Sequence, residues 1–213
     1  MKTLVVGILG GIGAGKSEVA ATLAARAGGR VVVADALGHE ALRQPANRDA
    51  LVARYGDSII QNGEIDRKRL AAIVFADKSD LAYLESLTHP WIRHRFDDEA
   101  RRAREERVPL LVIDAALLLE AGWQGVCDRL VFVDAPPEVR LERVKSKRGW
   151  SAEDAQRREA AQLPLTRKRF VADHIIDNSS SHDSLIRQVD DLLERWGLPR
   201  ELASPAGGRH DAV

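Results

Sequence analysis

Cysteine is almost absent from this chain. Cys127 stands alone among 213 residues, which excludes an internal disulfide, and no Cys/His cluster has the spacing of zinc ligands. An excess of charge of one sign is missing too. Lys plus Arg and Asp plus Glu number 32 each, so no general positive field gathers nucleic acid or an anionic membrane surface. Any basic site must be local. No apolar run approaches the roughly 18 to 20 residues that cross a bilayer, and no internal repeat is visible. The opening MKTLVVGILGG pairs a lysine with an apolar run, but that run is short for an export signal and leads directly into glycines, so it reads as a first core strand. What remains is an ordinary globular composition, 45% hydrophobic and 30% charged. It suits a reducing cytoplasm, one substantial core and room for a second lobe.

Apolar, β-branched runs recur at 3–9 (TLVVGIL), 30–35 (RVVVAD), 109–115 (PLLVIDA), 129–135 (RLVFVDA) and 174–178 (HIIDN), with helical periodicity between them. Continuous hydrophobic strands alternating with helices predict an α/β fold with a parallel sheet covered on both faces. The spacing is uneven. Residues 36–108, between the second and third runs, far exceed the crossover helix a βαβ unit needs. Much of that insertion reads as helix, which predicts a helical lobe beside the sheet. The small, polar end, 203–213, reads as a frayed tail.

Between the first strand and the first helix stands GGIGAGKS, residues 10–17. Gly10, Gly15, Lys16 and Ser17 fit the G-x-x-x-x-G-K-[ST] phosphate-binding loop. Glycines let successive backbone N–H groups approach an anion that side chains would block, and the following helix adds its positive end. Gly11, Ile12, Gly13, Ala14, Gly15, Lys16 and Ser17 are therefore the candidate residues for holding a polyphosphate. Lys16 would reach the β- and γ-phosphates, and the Ser17 hydroxyl would help hold Mg²⁺.

Four of the expected strands end in aspartate: Asp35, Asp114, Asp134 and Asp177. Ligands of an open parallel sheet sit outside the carboxyl ends of its strands, so these carboxylates can share a crevice; each also suits a helix cap. Asp35 opens the large insertion, between the nucleotide and whatever the lobe binds, which suits a base that accepts the proton of an attacking hydroxyl. Asp114 ends LLVID, a strand-plus-acid pattern that supports Mg²⁺ or its waters, and it is also a candidate for the acceptor side. Asp134, before APPEVR, is read as a cap, and Asp177 with Asn178 as a turn.

From Pro136 to Arg169 ten basic residues face five acidic ones. Arg140, Arg143 and Lys147 share one helix face, and Arg158 and Gln162 share another by i, i+4 spacing. Beside a phosphate loop, such a run suits a closing lid that delivers an arginine to the transferring phosphoryl group. SKRGWS, 146–151, supplies the turn between its helices.

Taken together, these stretches resemble the dephospho-coenzyme A kinase family, which phosphorylates a ribose 3′-hydroxyl. The likeness runs from about residue 3 to about 190 and includes GGIGAGKS, ADALGHEAL (34–42), NGEIDRKRLAAIVF (62–75), LTHP (87–90), DAALLLEAGW (114–123), VDAPPEVRLERV (133–144) and EDAQRREAAQLPLTRKRFVADHIIDN (153–178). The resemblance implies a P-loop kinase fold with a five-stranded parallel core, a helical acceptor lobe over 36–108 and a lid over about 138–172. It implies Asp35, Lys16 and Arg143 as catalytic residues, Arg143 being the lid arginine on ATP. His89 and Asp114 are placed on the acceptor side, though His89-Pro90 equally suits a turn that breaks a helix. Mg²⁺ comes with ATP, the partners are ATP and dephospho-CoA, and no nucleic-acid, membrane or obligate protein partner is expected.

The chain departs from the family's pattern in three places. Ala115-Ala116 follows Asp114 where a proline usually closes the triplet, Leu119 replaces an aromatic, and the second lid arginine appears as Lys147 unless Arg148 substitutes. The alternatives are a nucleoside or nucleotide kinase, which needs a smaller acceptor lobe, and a nucleotide-driven switch, which needs a water-positioning residue and an effector surface.

Overall fold

The computed structural model describes residues 2–200; the tail expected at 203–213 lies outside the described residues. Along the chain come β1 (Leu4–Gly10), α1 (Lys16–Ala27), β2 (Arg30–Val33), α2 (Ala34–Arg43) and α3 (Pro45–Tyr55). A small antiparallel hairpin, β3 (Ile60–Gln61) and β4 (Glu64–Ile65), leads to α4 (Arg67–Val74) and the 28-residue α5 (Lys78–Glu105). The remainder is β5 (Leu110–Asp114), β6 (Arg129–Asp134), α6 (Pro137–Arg148), α7 (Ala152–Ala160), α8 (Leu165–Val171), β7 (His174–Asp177) and α9 (His182–Arg195).

The five expected strands form one parallel sheet in the order β2-β5-β1-β6-β7. Its alternating side chains build two cores. Val5, Leu9, Leu111 and Ile113 face α2, α5 and the segment after β5, while Val6, Ile8, Val112 and Val131 face α1 and α9. Burial on both faces is why these strands read as unbroken apolar runs. At Gly7 a side chain has no room: an added Cβ would lie 2.5 Å from Leu118 and 2.8 Å from the Cys127 sulfur. The segment after β5 therefore packs straight onto the central strand. The same burial, with the charge of Asp128 adding to it, raises the Cys127 thiol to about 12, so it is not a reactive thiol at neutral pH.

Two expectations about local structure are corrected. The second strand stops at Val33, and Asp35 sits in the first turn of α2 instead of at a strand end. A carboxylate there meets the positive end of the helix dipole, which favours helix over strand. The helix-breaking turn weighed for His89-Pro90 does not occur, because α5 runs through Pro90. Before Pro90, Tyr83, Leu84 and Leu87 pack on a separate small core of Leu51, Ile59, Leu70 and Val74; beyond it, Ile92, Phe96 and Ala100 pack on the sheet. The insertion is thus anchored in the main core by its longest helix.

Candidate active site

Backbone conformation builds the glycine loop. Gly13 and Gly15 take φ of 78° and 88°, a region costly for residues with a Cβ. At Gly13 an added Cβ would overlap the main-chain carbonyl of Arg140, and at Gly15 the amide of Asn178. Glycine here lets α6 and the β7 end press against the loop. The N–H groups of Gly13, Gly15, Lys16 and Ser17 have no hydrogen-bond partner among the described residues, and they sit at the N-terminus of α1. Unpaired donors at a positive helix end fit a phosphate.

The Lys16 ammonium donates to Gly10 O at 3.2 Å and Gly11 O at 3.0 Å. Burial lowers its pKa to about 8, with Asp114 opposing and the charges of Lys168, Arg148 and Arg140 adding to the fall. The unfolded chain binds more protons than the fold between about 8 and 10.5, so this group raises stability as pH climbs through that window. A bound phosphate favours the charged amine and must restore its proton. ATP affinity is accordingly expected to fall above pH 8, by up to about tenfold per unit. Calorimetry at pH 7 and 9 in buffers of different ionisation enthalpy reads the proton uptake, and an affinity flat across that range would contradict it.

Ser17 Oγ donates to Asp114 Oδ2 at 2.5 Å. Asp114 is buried at the end of β5, in register with Ile8 on one side and Val33 on the other. Asp35 follows Val33 by two residues. Adjacent strands thus deliver two carboxylates to one edge, one tied to the loop and one exposed, with no side-chain hydrogen bond or ion pair to Asp35 among the described residues. No group of three or more His, Cys, Asp or Glu that could hold a metal occurs among the described residues. The donor set at Ser17 and Asp114 fits a Mg²⁺ that draws its other ligands from phosphate and water.

The basic segment arches onto this loop. Arg143 Nη1 donates to Ala14 O at 3.3 Å. Arg140, placed by its spacing on one helix face with Arg143, donates to Ile12 O at 3.3 Å and pairs with Glu159 of α7. The Arg148 and Arg158 guanidiniums both lie over the Trp150 ring, 4.9 and 4.3 Å from its centre, and Gly149 and a Ser151–Asp154 capping box form the expected turn. Of the two basic residues closing α6, Arg148 is the one whose charge acts on Lys16.

Other sequence readings shift. Asp134 caps no helix among the described residues: the α6 N-cap is Pro136, and Asp134 pairs with Arg169, whose guanidinium reaches back from α8. Asp177 shapes the expected turn by accepting from Ser179 N at 2.9 Å. Asn178 does more than shape it, donating to Ala14 O at 3.0 Å beneath the glycine loop. Gln162 does not share a helix face with Arg158, since α7 ends at Ala160 and Gln162 turns back to Lys168. Lys168, one of the ten basic residues counted from Pro136 to Arg169, is 1% exposed.

His89 and Pro90 line a cavity of about 400 Å³ with Glu85, Arg93, Gly122 and Trp123. The His89 ring meets Trp123 edge-on at 5.0 Å. Burial lowers its pKa against the opposing charge of Glu85, which favours neutral imidazole. Pro90 has no N–H, which leaves the Ser86 carbonyl without its helical donor on the cavity wall. No hydrogen bond links His89 to Asp114 among the described residues: Asp114, bonded to Ser17, precedes the segment 115–122, and Trp123, which meets His89, follows it.

A family model described as dephospho-CoA kinase matches residues 4–184, which span the glycine loop, the insertion and the basic segment. The chain belongs to the dephospho-CoA kinase family. Its curated relatives in the family include the dephospho-CoA kinases of Thermobifida fusca, 39% identical over 94% of this chain and 99% of that protein, and of Latilactobacillus sakei, 36% identical over 90% and 95%. Among solved structures, a Thermus thermophilus protein superposes with a TM-score of 0.75 at 35% identity, covering 92% of this chain and 98% of that one. The Campylobacter jejuni dephospho-CoA kinase, at 24% identity and a TM-score of 0.69 over 91% and 97%, shares the fold. So does the Bacteroides thetaiotaomicron shikimate kinase, at 14% and 0.53 over 92% and 99%. The fold is that of the P-loop kinases, and no helix among the described residues is long and apolar enough to cross a membrane.

Proposed function

We propose that this family member transfers the γ-phosphoryl group of Mg²⁺-ATP to the ribose 3′-hydroxyl of dephospho-CoA, giving coenzyme A and ADP. The observation that carries the reading is the convergence at one sheet edge of Lys16, the Ser17–Asp114 pair, Asp35 and Arg143. Asp35 accepts the proton of the 3′-hydroxyl as its oxygen attacks the γ-phosphorus, while the bond from that phosphorus to the β–γ bridging oxygen breaks and ADP departs. Lys16 and Arg143 meet the charge that spreads over the transferring group. The unpaired loop N–H groups of Gly13, Gly15, Lys16 and Ser17 cradle the phosphates. Mg²⁺, when bound, would neutralise phosphate charge, and Ser17 would supply its side-chain ligand.

The bond to Ser17 supports a place for Asp114 beside the metal instead of the acceptor side, which is left to His89 and the cavity it lines. The segments 36–108 and 138–172 then act as acceptor lobe and lid, in a reducing cytoplasm that suits a lone free cysteine. Asp114→Asn is expected to raise the Mg²⁺ concentration for half-maximal rate about 10- to 100-fold, read by Mg²⁺ titration at saturating ATP. An unchanged requirement would return Asp114 to the acceptor side.

An acceptor panel tests the whole reading. Purified protein with ATP and Mg²⁺ is offered dephospho-CoA, nucleosides, nucleoside monophosphates or no acceptor, and ADP release is followed. Fastest release with dephospho-CoA is expected; preference for a nucleoside, or equal release without acceptor, overturns it.

A further inference from the structure

A buried charge that the proposed chemistry does not use sits where the basic segment returns to the sheet. Lys168 on α8 is 1% exposed, and its ammonium donates to Gln162 Oε1 at 2.9 Å and Ala116 O at 3.4 Å and pairs with Glu120 Oε1 at 2.8 Å. Glu120 Oε1 also accepts from Leu163 N at 2.9 Å, while its Oε2 is buried with no partner among the described residues. Three pieces of chain meet at one ammonium: the link from α7 to α8, α8 itself, and the segment 115–122.

That segment has two functional ends. It starts at Asp114, bonded to Ser17, and finishes at Gly122 and Trp123, which wall the cavity beside His89. The link it is clamped to follows α7, whose Glu159 holds Arg140 over the glycine loop. A buried ion pair is weak evidence for stability, because losing water around two charges offsets most of their attraction. Its definite product is geometry: a fixed distance between elements that close packing alone would let slide.

We propose that Lys168 is a positioning residue which locks segment 115–122 to the base of the lid, so that the acceptor wall and the lid arginines approach the phosphate loop as one unit. The inference rests on the kinase reading above. Lys168 touches no reacting atom; it acts through Glu120, Gln162 and the Ala116 carbonyl. Its charge is also felt at Lys16, so the cluster lies near the phosphate loop.

The test uses full-length protein, with rates expressed per ATP-binding site counted by calorimetry, so that a misfolded fraction does not count as slow chemistry. Lys168→Met is expected to lower kcat with dephospho-CoA about 10²-fold, the scale of an ångström-sized misplacement, with the Kd for ATP within about twofold of the parent. Glu120→Gln is expected to hit the same parameter, and the double variant to be no slower than the worse single one, since both break one contact. Gln162→Ala, a milder change at a part-exposed side chain, is expected to lose kcat in the same direction and serves if Lys168→Met does not fold. Three outcomes would overturn the proposal: a kcat per site within about twofold of the parent in the folded variants, effects that multiply in the double variant, or ATP affinity falling as far as kcat. The parent protein is the control that separates the two ideas. If it does not phosphorylate dephospho-CoA, the kinase reading has failed; if it does and the variants match it, only the clamp has.

Discussion

Arg143→Ala is expected to lower kcat by about 10³ or more while changing ATP affinity far less, because an arginine that meets a transferring phosphoryl group is worth about 10³ to 10⁵ in rate. In the structure this guanidinium spans from α6 to the glycine loop and holds Ala14 O through one long bond of 3.3 Å. A neutral carbonyl at that distance is a weak partner, and a phosphate oxygen, with which the fork makes shorter charge-assisted bonds, displaces it readily. Arg140 is the contrast. Its guanidinium is already paired with Glu159 and is 11% exposed as a side chain, so it braces the loop, whereas Arg143 has no carboxylate partner among the described residues. Arg143→Lys is expected to recover only part of the rate, since an ammonium supplies a point charge without the fork. Steady-state rates at saturating substrates, with calorimetric ATP binding, check this. A kcat for Arg143→Ala within tenfold of the parent would take the lid arginine out of the chemistry.

Asp35→Asn is the second large effect, an expected loss of about 10² to 10⁴ in kcat with ATP binding retained, the usual worth of a positioned base. The substitution keeps the shape and removes the proton acceptor. The residue's setting favours a clean readout: it is exposed and carries no side-chain hydrogen bond or ion pair among the described residues. Its one structural contribution, a negative charge in the first turn of α2, is a modest surface effect, so the variant should fold. Burst kinetics would show the missing chemical step directly. Turnover near that of the parent would remove Asp35 from the role of base, whatever acceptor the panel selects.

Much of the fold was legible because parallel strands buried on both faces need unbroken apolar runs, and a chain contains few other reasons for TLVVGIL or PLLVIDA. The glycine loop was legible for a similar reason, since its positive-φ positions at Gly13 and Gly15 admit little else. The illegible parts are the ones where a residue type serves two purposes. Aspartate after a strand suits a cap, a ligand or a helix start. Only the tertiary contacts separate Asp114 on Ser17, Asp134 on Arg169, Asp177 in its turn and Asp35 in α2. A proline after a histidine suggested a break, yet α5 continues because the helix is held on both sides of Pro90 by two different cores.

The sequence by itself determined the layered α/β architecture, the phosphate loop and the helical insertion, because periodicity and glycine placement are local and each constrains the backbone where it stands. Only the tertiary structure decided which charges are buried in pairs and which reach the loop. Lys168 and Arg143 lie in one basic stretch, yet one is sealed on Glu120 and the other reaches Ala14. What divides them is the solvent and the opposite charge each one meets after the chain has folded, and neither is written in the spacing of the residues.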